Sequence, residues 1–169
     1  MLLMHNPEWG APIVSFDEFK ELRPKLGKVV ATSGGFDPIH PGHISCIIQS
    51  KKYGDTLVVI VNGDAFLKAK KGRPFQDLQT RSQIVSGING VDYVIPFDIE
   101  NDQTVSKALE AIKPDVFTKG GDRSSKENIP EWDTCEKNNI EVVFGVGEEK
   151  KWSSSWFLNS WNNHGPRKA

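Results

Sequence analysis

The chain has 169 residues, of which 37% are hydrophobic, and this size and composition fit one domain with a single core. Its 21 Lys and Arg residues against 22 Asp and Glu residues give a net charge of −1, which excludes the overall positive field needed to bind nucleic acid through its backbone. The longest apolar runs, such as Leu57 to Val61, are far shorter than the roughly 20 residues that span a bilayer, which excludes a membrane-spanning helix.

The opening residues and the cysteines favour a cytoplasmic protein. The apolar first four residues are followed at once by His5 and Asn6, unlike a signal peptide. Cys46 and Cys135 lie far apart in the sequence and form no CxxC spacing, so we expect two reduced thiols and neither a zinc knuckle nor a redox pair.

Taken in chain order, the predicted elements begin with a loosely held arm over residues 1–13, and a single domain follows over residues 14–169. Ser15 to Glu18 has the S-x-x-E form of a capping box and opens a short helix that ends at about Arg23, before Pro24. Five later runs, rich in Val, Ile and Phe and bounded by Gly, Pro or Asp, are predicted to be buried strands: 29–33, 56–61, 93–97, 115–118 and 141–146.

Between these strands the apolar residues recur at helical spacing, as at Ile44, Ile47 and Ile48. Alternating strands and helices predict an α/β fold, a Rossmann-like doubly wound parallel sheet of about five strands with helices on both faces. Ligands of such sheets bind beyond the carboxyl ends of the strands. The loops that follow strands are therefore the places where we expect functional residues.

The loop after the first strand has the features of a phosphate site. The pair Gly34-Gly35 lets backbone N–H groups approach a ligand closely, and Pro41-Gly42 leads into a helix whose N-terminus favours anions. His40 and His43, three residues apart, can donate hydrogen bonds to one set of phosphate oxygens. Neither a GxxxxGK[ST] nor a strand-linked GxGxxG pattern occurs, which excludes a P-loop and a dinucleotide fingerprint.

The segment Gly35-Phe36-Asp37 followed by His40-Pro41-Gly42-His43 resembles the HxGH signature of the nucleotidyltransferase superfamily, whose members join a nucleoside triphosphate to a phosphorylated small molecule. The resemblance runs from about Val14 to Leu158. It is strongest to the adenylyltransferases that act on heptose 1-phosphate in lipopolysaccharide precursor synthesis, and the glycerol-3-phosphate cytidylyltransferases come next. It implies catalytic roles for His40 and His43. The nucleotide is expected at Gly34, Gly35, Phe36, Asp37, His40, Gly42 and His43.

A run of cations follows the second strand, and its "KGRP" segment resembles the heptose enzymes. Lys70 aligns with the position that contacts the substrate phosphate in the cytidylyltransferases, which implies a catalytic role for Lys70 and an acceptor-phosphate site at Lys70, Lys71 and Arg73. Composition alone also fits a solvated charged face. For Arg81, in the following helix, a structural ion pair and a role in the site both stay open.

Two further segments follow predicted strands. The "KGGD" run at residues 119–122 is similar to the heptose adenylyltransferases and differs from the cytidylyltransferases, which ranks ATP above CTP, although a plain turn is an alternative. Ser153-Ser154-Ser155 opens the last helix, where a hydroxyl cap explains one serine and the family's similar run holds the β- and γ-phosphates. These segments add the expected nucleotide ligands Lys119, Gly120, Gly121, Asp122, Arg123, Ser153, Ser154 and Ser155.

The sequence departs from the family pattern just before the serines. An arginine of the cytidylyltransferases is absent, and we expect Lys150 or Lys151 to replace it. Trp152 stands in place of a small or aliphatic residue, beside the acidic pair Glu148-Glu149.

A triphosphate and a phosphomonoester together bring about six negative charges, so we expect Mg²⁺ bound mainly through the triphosphate and no metal site built from protein ligands. The expected reaction is transfer of AMP from ATP to a sugar phosphate of the heptose 1-phosphate type, with release of pyrophosphate and without a general base. Cytidylyl transfer to glycerol 3-phosphate or another small phosphate is the alternative. A non-catalytic nucleotide-binding regulatory module and a metal-binding protein using His40 and His43 are alternatives of other classes. The resemblance also implies a homodimer.

Overall fold

A computed structural model describes residues 6–98, 104–121 and 125–163 of the chain. Within these residues the centre is a sheet of five parallel strands in the spatial order β3-β2-β1-β4-β5. The prediction of a parallel sheet of about five strands is confirmed, and the observed ends differ from the predicted ones by at most two residues. The strands are β1 (Val29–Gly34), β2 (Thr56–Asn62), β3 (Tyr93–Phe97), β4 (Val116–Gly120) and β5 (Glu141–Val146).

Helices cover both faces of the sheet, as predicted. The α-helices of the described residues are α1 (Phe16–Leu22), α2 (Pro41–Ser50), α3 (Asp64–Lys71), α4 (Leu78–Ser86), α5 (Ser106–Ile112), α6 (Trp132–Lys137) and α7 (Ser154–Asn162). One hydrophobic cluster, with Phe19, Leu109 and Phe117, lies under α1 and α5. A second cluster, with Ile47 and Val85, lies under α2 and α4 on the opposite face.

The start of α1 confirms the predicted capping box. The Ser15 hydroxyl accepts from the backbone N–H of Glu18 at 3.2 Å, and the Glu18 carboxylate accepts from the backbone N–H of Ser15 at 2.7 Å. The helix ends at Leu22, and a 3₁₀ turn at Arg23–Lys25 follows because Pro24 cannot continue the α-helical hydrogen bonding.

The last residues of the expected arm are not loosely held. Ile13 is 7% exposed and bridges to Val94 of the edge strand β3. The backbone N–H of Val94 donates to the Pro12 carbonyl, and the N–H of Val14 donates to the Val94 carbonyl. These bonds pair the backbone of the edge strand, which would otherwise be open to other chains.

The order of the strands places the site. The chain runs from β1 outward to β2 and β3, then crosses to the other side of the sheet to form β4 and β5. The point where the direction reverses lies between β1 and β4, and ligands of open α/β sheets bind there, beyond the carboxyl ends of the strands.

Among residues 6–98, 104–121 and 125–163, no helix combines the length and the apolar composition that crossing a membrane requires.

Candidate active site

A cleft with a volume of about 440 Å³ opens at the carboxyl ends of β1 and β4. The structure brings most of the predicted residues to its wall: Gly34, Gly35, Phe36, Asp37, His40, Gly42, His43, Lys70, Lys71, Lys119, Gly120, Gly121, Ser153, Ser154 and Ser155. Arg73 is exposed and does not line the cleft, so the structure gives no support to Arg73 as a phosphate ligand. Asp122 and Arg123 lie outside the described residues.

The two histidines lie together at the N-terminus of α2. Their rings stack with centroids 3.7 Å apart and an angle of 20° between the planes. The backbone N–H of His40 donates to Nδ1 of His43 at 3.2 Å. The neutral His43 ring therefore carries its proton on Nε2, which makes Nε2 a hydrogen-bond donor.

Both histidines are held in the neutral form. The pKa of His43 is lowered from 6.5 to about 3, mainly by burial and then by the charges of His40, Lys70 and Lys71 in that order. Burial also lowers the pKa of His40, with a smaller contribution from Lys150. At neutral pH the pair therefore offers N–H donors without positive charge, and the charge of a bound phosphate must be balanced by other groups.

The path of the loop after β1 depends on Gly34. Phe36 adopts a left-handed backbone conformation with φ of 52°, and its ring meets the His43 ring edge-on at 5.3 Å. A Cβ atom on Gly34 would lie 3.0 Å from the Phe36 ring, closer than ordinary van der Waals contact. Glycine at this position lets Phe36 pack beneath the loop and support His43.

Asp37 belongs to the cleft wall, but its carboxylate has a different role from the predicted one. The side chain is fully buried, and its two oxygens accept the backbone N–H groups of Phe75 and Gln76 at 2.7 and 2.8 Å. Lys71 lies 3.6 Å from the same carboxylate. The carboxylate of Asp37 therefore ties the loop after β1 to the connection between α3 and α4, and the assignment of Asp37 as a nucleotide ligand stays a prediction.

The adjacent lysines of α3 are used differently. The Lys71 ammonium donates to the backbone carbonyl of Asp37 as well as pairing with its carboxylate, and burial lowers the pKa of Lys71. This internal pairing gives Lys71 a structural role, and its contact with the acceptor phosphate stays a prediction. Lys70 lines the cleft and extends over the Phe66 ring, with Nζ 5.8 Å from the ring centroid.

Arg81 is a buried structural residue, which settles the alternative that the sequence left open. Its guanidinium donates to the carbonyl of Gln76 at 2.9 Å, to the carbonyl of Gly35 at 2.9 Å and to that of Asn62, and it pairs with Asp64 at 2.7 Å. Its side chain is 0% exposed. Arg81 thus holds the Gly35 part of the cleft wall from beneath without lining the cleft.

The turn after β4 presents its backbone to the cleft, while its charged side chain lies elsewhere. The Lys119 ammonium is 4.9 Å from the centroid of the Phe117 ring and 3.8 Å from the Glu131 carboxylate. Phe117 packs in the cluster under α5, on the face opposite to α2. Lys119 lines the cleft while its ammonium contacts Phe117 and Glu131, so a nucleotide contact of its charge stays a prediction.

The serines at the start of α7 make contacts that the sequence did not predict. Ser153 precedes the helix, but its hydroxyl shares a 2.8 Å hydrogen bond with the Ser155 hydroxyl and does not cap the helix. The Ser154 hydroxyl donates to the Pro38 carbonyl at 2.8 Å. The expected hydroxyl cap is wrong, and Ser154 instead connects α7 to the loop that carries His40.

The segment that departs from the family pattern also lines the cleft. Lys150, Lys151 and Trp152 all contribute to the wall. The Trp152 ring is parallel to the Phe157 ring, with centroids 6.0 Å apart, and Trp152 leaves 36% of its surface exposed. The cleft therefore has an aromatic side wall and two cations on the side opposite to Lys70.

Residues 31–157 match the family described as cytidylyltransferase-like. The chain belongs to this family. Its curated relatives include the protein called bifunctional protein HldE of Hahella chejuensis, which is 41% identical over 124 residues, covering 72% of this chain and 24% of that protein. The same-named protein of Actinobacillus pleuropneumoniae serotype 5b is 37% identical over 129 residues, covering 73% and 26%. The chain thus spans about a quarter of the length of these relatives.

Solved structures agree with the family. The lipopolysaccharide core biosynthesis protein from Thermoplasma volcanium GSS1 superposes with a TM-score of 0.61 at 30% identity, covering 73% of this chain and 99% of that one. A pantoate-beta-alanine ligase from Francisella tularensis has a TM-score of 0.60 at 18% identity, covering 88% and 73%, and shares the fold. The resemblance to the nucleotidyltransferase superfamily is confirmed, and the chain is a nucleotidyltransferase domain.

Several residues of the cleft of this nucleotidyltransferase had not been predicted. Thr32 and Ser33 lie at the end of β1, where the strand-end rule could have indicated them. Leu67 of α3 lines the cleft because it packs against Gly35, where a Cβ atom would lie 2.8 Å from it. No local pattern in the sequence indicates that contact.

The expectation of Mg²⁺ bound mainly through a triphosphate stays a prediction. Within the described ranges no group of three or more His, Cys, Asp or Glu residues is placed to hold a metal. Among the acidic residues that line the cleft, Asp37 already uses both carboxylate oxygens on backbone N–H groups. A triphosphate supplies the hard oxygen ligands that Mg²⁺ prefers.

Proposed function

We propose that this nucleotidyltransferase transfers AMP from ATP to a sugar phosphate of the heptose 1-phosphate type and releases pyrophosphate. The observation that carries the proposal is the stacked, neutral His40–His43 pair at the N-terminus of α2, inside a cleft with cations on two sides. The relatives called HldE and the lipopolysaccharide core biosynthesis protein support the sugar-phosphate acceptor.

The proposed reaction needs no general base. A phosphate oxygen of the acceptor, already anionic, forms a bond to the α-phosphorus of the triphosphate. The bond from that phosphorus to the oxygen bridging to the β-phosphate breaks, and pyrophosphate leaves. The chain has to hold the attacking and leaving oxygens in line and stabilise the added charge on the α-phosphate.

The His43 Nε2–H group is suited to that stabilisation. It is directed by the hydrogen bond that Nδ1 accepts, and it lies beside the N-terminus of α2, which favours negative charge. Because the lowered pKa keeps His43 neutral at neutral pH, its ring donates this hydrogen bond without carrying a positive charge. A fixed donor of this kind contributes on the order of 3–4 kcal/mol to transition-state stabilisation.

The remaining charge would be distributed over the wall of the cleft. Lys70 lies on the α3 side, and Lys150 and Lys151 lie on the side of α7. We propose Lys70 for the acceptor phosphate, Lys150 or Lys151 for the triphosphate, and the Ser153–Ser155 start of α7 for the β- and γ-phosphates. Mg²⁺ bound to the triphosphate would neutralise part of its charge when the complex forms.

Cytidylyl transfer from CTP to glycerol 3-phosphate or a similar acceptor is the second candidate, because the matched family is described as cytidylyltransferase-like. A regulatory module without turnover is less well supported. Trp152 and Glu148 line the cleft, yet about 440 Å³ remains open.

The test is pyrophosphate release measured with ATP and CTP, each combined with heptose 1-phosphate and glycerol 3-phosphate. We expect the highest kcat/KM for ATP with heptose 1-phosphate. A preference for CTP with glycerol 3-phosphate would favour the second candidate. Nucleotide binding without pyrophosphate release in any combination would support the regulatory module and reject the proposed enzyme.

A further inference from the structure

Glu131 is a buried carboxylate outside the cleft, at the residue that precedes α6. Its side chain is 7% exposed. One oxygen accepts the backbone N–H of Val105 at 3.2 Å, and the other has no hydrogen-bond partner among the described residues and lies 3.8 Å from the Lys119 ammonium. A buried carboxylate is costly unless a cation accompanies it, so Lys119 is the group that makes this charge tolerable.

The ion pair connects the end of β4 to two other elements. Lys119 belongs to β4, Glu131 precedes α6, and Val105 precedes α5. The Lys119 side chain is itself only 14% exposed and packs over the Phe117 ring. These contacts hold the Lys119 ammonium on the face of the sheet opposite to the histidines.

The next two residues form the cleft wall and lie close to other elements that line it. A Cβ atom on Gly121 would lie 2.6 Å from the backbone carbonyl of Glu148, so the turn touches the segment after β5 directly. At Gly120 a Cβ atom would lie 3.9 Å from the sulfur of Cys46 in α2. A displacement of Lys119 would move this backbone within the cleft.

We infer that Glu131 is a positioning residue of the nucleotide site. Through Lys119 it fixes the Gly120-Gly121 turn, so that the backbone of the turn, and not the charge of Lys119, faces the nucleotide. The inference rests on the proposed function, because it assigns nucleotide binding to this turn.

The experiment compares Glu131→Gln, Lys119→Met and the double variant with the unmodified chain. The KM for ATP, the KM for the acceptor and kcat are measured by pyrophosphate release, and thermal unfolding is measured without ligand. We expect each single variant to raise the KM for ATP about tenfold, since small displacements of a binding group have effects of this size or larger. The KM for the acceptor should not change.

The double variant separates positioning from direct phosphate binding. Both buried charges are then absent, Met still packs over Phe117, and Gln still accepts from Val105, so we expect the KM for ATP to return to within about threefold of the original value. If the double variant is as impaired as Lys119→Met while Glu131→Gln behaves like the unmodified chain, Lys119 binds the phosphate directly and the inference is wrong.

The exposed pair Asp17–Lys20 is a matched control. Its charged atoms are also 3.8 Å apart, but its side chains are 96% and 53% exposed. Asp17→Asn, Lys20→Met and their double variant should leave the KM for ATP unchanged and show no coupling in thermal unfolding.

Unfolding without ligand distinguishes this inference from the proposed function. If the unmodified chain turns over no nucleotide, the proposed function fails, while the melting temperatures still decide whether Lys119 and Glu131 act as a pair. We expect each single variant to lower the melting temperature and the double variant to recover most of the loss. Additive losses would overturn the inference.

Discussion

The turns after β1 and β4 have the same sequence pattern but present different groups to the cleft. Each contains a Gly-Gly pair at the end of a buried strand, followed or preceded by residues that can bind phosphate. After β1 the side chains of His40 and His43 line the cleft. After β4 the backbone lines it, and the Lys119 ammonium lies with Phe117 and Glu131 on the other side of the sheet.

The position of each polar residue relative to its strand explains the difference. Lys119 is still within β4, so its side chain shares a face with Phe117, two residues earlier. His40 and His43 come after β1 has ended, where the loop and the start of α2 set their direction. Removing a side chain should therefore impair activity most at the β1 turn. Adding a Cβ atom to a glycine should impair nucleotide binding at the β4 turn.

The largest expected effect is that of His43→Ala. Loss of the Nε2 donor should lower kcat by at least ~100-fold while the protein stays folded, because the donor acts on charge that develops in the transition state. Pyrophosphate release under saturating substrates measures the effect, with Gln49→Ala in the same helix as the control. Near-normal turnover of the His43 variant would show that this side chain of the β1 turn does not take part in catalysis.

Lys70→Met and Lys71→Met should differ although the residues are adjacent. Lys70→Met should raise the KM for the acceptor about tenfold or more, since it removes a charge-assisted phosphate contact, and should leave stability unchanged. Lys71→Met should lower the free energy of unfolding by about 2–3 kcal/mol, because it leaves the buried Asp37 carboxylate without its cation. The KM for the acceptor and urea unfolding are measured for both variants. Equal losses of stability would contradict the different roles assigned to Lys70 and Lys71.

The two glycines of the β4 turn provide a matched pair. Gly121→Ala places a Cβ atom 2.6 Å from the Glu148 carbonyl, so it should destabilise the protein by about 1–3 kcal/mol and raise the KM for the nucleotide. Gly120→Ala makes only an ordinary 3.9 Å contact with Cys46 and should change stability by less than about 1 kcal/mol. If both variants bind nucleotide as tightly as the unmodified chain, the backbone of this turn does not contact it.

The smallest expected effect concerns acid stability. The pKa of His43 is lowered from 6.5 to about 3 in the folded chain, so between these values the unfolded chain binds a proton that the folded chain does not. Stability should therefore fall as the pH falls below about 6.5, and His43 should contribute on the order of 1–2 kcal/mol of the loss between pH 7 and 5. Urea unfolding at both pH values should show a smaller loss for His43→Gln. An equal loss would mean that His43 is not held neutral.

Patterns within short segments predicted much of the fold and most of the loops that line the cleft. Buried apolar runs predicted the strands, and the S-x-x-E pattern predicted the capping box at Ser15. The His40–His43 pair was predictable because the strand, the glycines and the helix start are contiguous. Each of these features depends on residues that are near one another in the sequence.

The parts that were not predicted depend on partners far along the chain. Lys119 pairs with Glu131, and Asp37 accepts from Phe75 and Gln76, so neither orientation can be derived from the local pattern. Strand alternation could have indicated that Lys119 shares a face with Phe117. Strand alternation could not have identified Glu131 as the buried carboxylate that pairs with Lys119.

The most direct test of nucleotidyl transfer is ³¹P NMR of the unmodified chain with ATP, Mg²⁺ and heptose 1-phosphate. The account predicts that pyrophosphate and a sugar linked to adenosine through two phosphates appear in equal amounts. Formation of ADP with a new phosphate ester or inorganic phosphate would show attack at the γ-phosphate. That result would contradict the assignment of the His40–His43 pair to the α-phosphate.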